Sequence, residues 1–131
     1  MRIEVSVGEL VDKLTILEIK LERIKDPEKL KNVRREHDLL RQALDQAGIG
    51  RDSREFLELK SINLGLWEIE DRIRAKEKAR QFDAEFIELA RSVYISNDRR
   101  SEVKRSINLA TGSTLIEEKY HVDYEHPRGE P

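Results

Sequence analysis

The chain has 131 residues, of which 40% are charged and 5% aromatic, with a net charge of −2 and no cysteine. That length supports one domain whose core can fold without disulfide or metal, and the lack of thiols removes a disulfide framework, a thiolate zinc site and a cysteine nucleophile. The near-neutral balance argues against a general nucleic-acid binder. No apolar run nears the roughly 20 residues of a bilayer span and no secretory signal follows "MRIEVSV", so a cytoplasmic protein without membrane contact is expected.

"RIEVS" alternates apolar and polar residues and reads as a short extended segment. Ser6 and Glu9 then stand at capping-box spacing. Leu10, Leu14, Leu17, Leu21 and Ile24 recur in steps of four and three, which predicts an amphipathic helix. Asp26 with Pro27 restarts the chain, because proline costs nothing at the first helical position. The second helix carries Leu30, Val33, His37, Leu40, Leu44 and Ala47 on one face and stops at "GIG". So short a connection predicts a helical hairpin.

Asp52 or Ser53 can cap a third helix with Leu59, Ile62, Leu66, Ile69 and Ile73 as its seam and Trp67 beside it. Asp83 caps a fourth, with Phe82 and Ile87 spaced for a hydrophobic staple. Its seam begins with Phe86, Ala90 and Val93, then meets Asn97, Arg100 and Lys104 before recovering at Ile107, and Thr111–Gly112 ends it. The sum is an all-α antiparallel bundle of four principal helices, preceded by a short extended segment and followed by an irregular tail. Residues 1–124 are expected to form one domain and 125–131 a disordered terminus.

The interrupted seam is the chief functional candidate. Five cations, Arg91, Arg99, Arg100, Lys104 and Arg105, face only Asp98 and Glu102 between Ala90 and Ile107, while the stretch from Glu117 to Pro131 is net acidic. Two readings stand. One is a network of internal salt bridges or a solvated face, the usual fate of a charge run. The other is an anion-binding pocket of Arg91, Asn97, Arg100, Lys104 and Asn108, with arginines as planar forks for phosphate or carboxylate. A second candidate is a pair of carboxylate motifs, Glu9 with Asp12 and Glu68 with Asp71. Residues three apart share a helical face, so each pair could offer oxygens to Mg²⁺, in outline as in all-α nucleotide pyrophosphohydrolases. His37 on a seam reads as a packed core residue. No phosphate-binding glycine loop, serine elbow or HExxH zinc motif is present.

"VSVGELVDKLTILEIKLERI", "INLGLWEIEDRIR", "FIELARSVYISNDRRSEVKRSIN" and "GSTLIEEKYHVDY" resemble a family of small bacterial proteins designated domain of unknown function 6165. The resemblance runs from Ile3 to Tyr124 in the same order. Its motif positions are Glu9, Asp12, Lys13 and Lys20; Trp67, Glu68, Asp71 and Arg74; Arg91, Tyr94, Asn97, Asp98, Arg100, Lys104 and Asn108; and Glu117, Glu118, Lys119 and Tyr120. Val7 departs from it, standing where the pattern has tryptophan. The family has no activity to pass on. It implies a setting in surface-glycan synthesis, hence a role accessory to glycosyltransferases.

Two functions are therefore carried forward. The first is a non-catalytic interaction or anion-binding module with no cofactor, whose partner is an anionic small molecule or a glycan-synthesis protein. The second is a Mg²⁺-dependent enzyme acting on a nucleotide or sugar nucleotide. More apolar stripe is present than one short bundle covers, so a homodimer is expected.

Overall fold

The computed structural model describes residues 1–125; the terminus expected to be disordered lies, beyond Glu125, outside the described residues. Four helices follow in order, α1 (Val7–Arg23), α2 (Pro27–Ala47), α3 (Arg54–Ala79) and α4 (Ala84–Thr111), and the described residues contain no strand. The first five residues are irregular.

Each helix starts on the side chain that sequence spacing singles out. Ser6 accepts from the Glu9 amide, Asp26 from Glu28 and Lys29, Ser53 from Phe56, and Asp83 from Phe86. Each cap satisfies amides that the first turn leaves without an intrahelical partner. The reciprocal half of the expected capping box is absent, because the Glu9 carboxylate turns to Lys104. Gly48 and Gly112 close α2 and α4 at φ of 75° and 64°, where a glycine carries no Cβ penalty. Phe82, the first half of the expected staple, is exposed. It packs edge-on against Phe86, ring centres 5.3 Å apart, and Ile87 stays exposed.

α1 is the axis of the molecule. It packs against α2, α3 and α4, and α3 and α4 also pair with each other. Gly8, Val11, Asp12, Leu14, Thr15, Leu17 and Ile19 are all buried, spreading burial around most of its circumference. A single leucine stripe does not anticipate that. Val11, Leu14, Leu44, Phe56, Leu59, Ile62, Leu66, Val103 and Ile107 form the main core. On α4 the buried Ile107 stands on the line drawn on periodicity, whereas the buried Leu89 and Val103 each stand one position before it. Arg100 and Lys104 lie at the edge of the core facing α1. Ala90, predicted on the seam, is exposed.

With 26 and 28 residues, α3 and α4 span about 40 Å each, against about 26 Å for the 17 residues of α1. Their hairpin end therefore overhangs α1, held by ion pairs of Arg72 and Lys76 with Glu85 and Asp83.

Candidate functional site

The site is built where α1 and α4 cross in closest approach. A Cβ on Gly8 would lie 2.5 Å from the Lys104 carbonyl oxygen and 2.9 Å from Asn108 Oδ1, so only glycine permits this contact. The Gly8 N–H donates to Asn108 Oδ1 at 2.6 Å, in the buried interface. Asn108 thus serves as an extra cap for α1, supplied from 100 residues away.

One turn along α1, Asp12 is 1% exposed and receives both prongs of Arg100, Nε at 2.7 Å and Nη2 at 2.5 Å. Asn63 of α3 donates to Asp12 Oδ1 at 2.9 Å and to the Thr15 hydroxyl at 2.8 Å. Thr15 in turn donates to the Asp12 carbonyl at 2.6 Å. Every oxygen of this buried carboxylate has a donor, the condition under which a charge is tolerated inside a fold. The Asp12 hydrogen bonds raise the Arg100 pKa despite partial burial. Arginine suits the place because its fork matches a carboxylate in two parallel bonds.

Lys104, one turn further on α4, holds Glu9 at 2.5 Å and Glu117 at 3.3 Å. Burial works against its ammonium, but the Glu9 hydrogen bond and the surrounding carboxylates outweigh it and raise its pKa. Glu117 also accepts from the Ser6 hydroxyl at 3.0 Å, so the tail is tied to the start of α1. Arg105 pairs with Glu118 at 2.8 Å. At the far end of the tail, Asp98 accepts from Lys119 at 2.5 Å and from the Tyr124 hydroxyl, with the His121 ring 3.8 Å away. Lys119 first and Tyr124 second hold the Asp98 carboxyl below its usual range. The Asp98 contact pushes the Tyr124 phenol up to about 12.

Of the five residues proposed for an anion pocket, three thus converge on α1: Arg100, Lys104 and Asn108. Arg91 lies on an exposed face with Glu88, its guanidinium 2.8 Å away. Asn97 is half-buried and takes no part in the network. The four candidate metal ligands fall into separate places. Glu9 and Asp12 face Lys104 and Arg100, whereas Glu68 receives Arg23 and Asp71 is exposed. Arg23 and Asp12 are separated by roughly 16 Å of helical rise on α1. Among the described residues, no three His, Cys, Asp or Glu side chains are grouped to hold a metal ion. His37 is buried among the α2 contacts, with Nε2 unbonded at 3.9 Å from Glu18.

Sequence reasoning missed Thr15, Asn63 and the anchoring role of Glu117, and counted Arg105 among the cations of the segment without placing it in the pocket. Asn63 left a signal, standing four after Leu59 and three before Leu66 inside the α3 seam. Thr15 follows Leu14 in a helix that one stripe would leave half exposed, and nothing in the spacing marks it.

No helix among the described residues is long and apolar enough to cross a membrane. No curated protein and no solved structure matches the chain. The model of a family described as "Family of unknown function (DUF6165)" matches residues 1–130. The architecture, the α1–α4 crossing and the tail contacts above are thus those of a member of DUF6165, the family to which this chain belongs.

Proposed function

We propose that the chain is a non-catalytic, anion-binding interaction module of the cytoplasm, whose ligand is received on the α4 face carrying Arg100, Lys104 and Arg105. One observation carries the reading: these three cations each hold a carboxylate supplied from elsewhere in the chain, Asp12, Glu9 with Glu117, and Glu118. The row is selective for oxyanions by its donors, and half of its partners come from an exposed tail. Catalysis has less support, because the carboxylates of the row are committed to cations and leave no free acid–base pair beside it.

The accessory role in surface-glycan synthesis rests on the family resemblance alone. A second copy of the chain completes the proposal. Phe82, Ile87 and Ile95 are exposed on or beside the overhanging end of the α3–α4 hairpin, an apolar area that a like surface would cover.

Thermal unfolding in the presence of inorganic phosphate, nucleotides and sugar nucleotides tests the ligand. Stabilisation that ignores Mg²⁺ and weakens with salt is the expected result. Stabilisation that appears only with nucleotide and Mg²⁺ together would replace this reading with the enzyme.

A further inference from the structure

The tail after Gly112 is attached differently from the four helices. Among the described residues, no backbone-to-backbone hydrogen bond holds it beyond Ser113. Its apolar side chains are not buried either: Leu115 and Ile116 are 41% and 39% exposed, Tyr120 and Val122 are 96% and 81% exposed. What fixes it is side-chain hydrogen bonding and charge, Thr114 on Glu4, Glu117 and Glu118 on Lys104, Ser6 and Arg105, and Lys119 with Tyr124 on Asp98, together with an edge-on contact of the Tyr124 and Tyr94 rings 5.0 Å apart.

The anchored stretch 117–119 and α4 enclose open space between their contacts. Two hollows of about 240 and 170 Å³ open there, sharing Ser101, Arg105 and the segment 117–119, so that they form one cleft. Exposed ion pairs of this kind contribute only about 0–1 kcal/mol each, because water and salt compete for both partners. The Glu117–Glu118 stretch, held by such pairs and the Ser6 hydroxyl, exchanges readily with a better anion.

We propose that Glu117 and Glu118 are resident competitors for a ligand with two linked anionic groups, of the diphosphate class, which displaces the tail and binds Lys104, Arg105 and the Ser6 hydroxyl. This rests on the anion-binding reading above and names its ligand class and its regulation. The two carboxylates come from adjacent residues and reach two adjacent cations of α4, so the occupant already present is a pair of neighbouring anions. Phosphoryl oxygens carry more charge than carboxylates and fit the Arg105 fork as well. Lys104 keeps Glu9 when Glu117 leaves, so Arg105 supplies most of the newly freed charge. Glu117 and Glu118 are exposed, and their replacement leaves the helical core untouched.

Calorimetric titration of wild type, Glu117→Gln/Glu118→Gln and Arg105→Gln with inorganic pyrophosphate is the test, repeated with a nucleoside diphosphate to separate the free anion from its ester. Removing the competitors is expected to tighten binding about threefold to tenfold, and Arg105→Gln to weaken it. Pyrophosphate is also expected to speed tryptic cleavage after Lys119 in the wild type, since release frees that side chain from Asp98. Equal affinity in wild type and the Gln pair would overturn the competing tail while leaving the anion site standing. Binding by neither, or binding indifferent to Arg105→Gln, would overturn both.

Discussion

Gly8 shows how one missing side chain positions the site. The helices α1 and α4 approach until the Lys104 carbonyl occupies the space of a Cβ, and that approach brings Glu9 and Asp12 within reach of Lys104 and Arg100. Because the obstructing atom belongs to the backbone, it cannot swing away as a flexible side-chain end could. Gly8→Ala is therefore expected to destabilise the fold by about 1–3 kcal/mol, the usual range for overpacking, measured by urea unfolding. A variant as stable as wild type would mean that the helices separate at little cost. The identity of Asn63 follows from the same packing: a buried carboxylate at Asp12 needs donors from more than one helix, and α3 supplies one through its amide.

At the scale of elements, helix boundaries were legible because they depend on near neighbours. Asp26–Pro27, Ser53, Asp83 and the glycines at 48 and 112 act within one turn, and they stand where spacing placed them. Periodicity put Arg100 and Lys104 on the inward seam of α4 but could not name the groups they meet, since Asp12, Glu9 and Glu117 lie 88, 95 and 13 residues away. The tail had no periodicity to read, and its docking rests on pairings 13 to 111 residues apart.

That docking has a defined pH window. Asp98 sits below its ordinary 3.8, so its contribution is present above that value and is lost as pH falls through the lowered pKa of the docked state. Tyr124 is raised from 10.0 to about 12, so its contribution is complete below 10 and disappears as pH rises through about 12. The groups facing this contact are Lys119, His121, Tyr94 and Glu125. Ultraviolet titration is expected to show the Tyr124 phenol ionising near 12 and returning toward 10 in Asp98→Asn. An unchanged curve in that variant would place the tail away from α4.

For the whole molecule, one short central helix is surrounded by three longer ones, and the α3–α4 hairpin outruns it. Composition and periodicity predicted four helices in a single bundle, and that much is what the chain folds into. They did not reveal that burial covers most of the circumference of α1, because a helix with charged residues at Glu9, Asp12, Lys13 and Glu18 looks half solvated until Asp12 acquires its partners. The overhang carries the expectation of a dimer. Sedimentation equilibrium at micromolar concentration is expected to give twice the chain mass, and Phe82→Ser/Ile87→Ser to return the chain mass. A monomeric wild type would leave that apolar end to another partner.

The central position of α1 also bears on biosynthesis. Its deepest contacts, Gly8 with Asn108 and Asp12 with Arg100, join residues 100 and 88 positions apart. During translation, α1 emerges early yet cannot complete its core until α4 has cleared the ribosomal exit tunnel. Until then Val11, Leu14 and Leu17 have helical cover from α2 and α3 alone and stay partly open to chaperones.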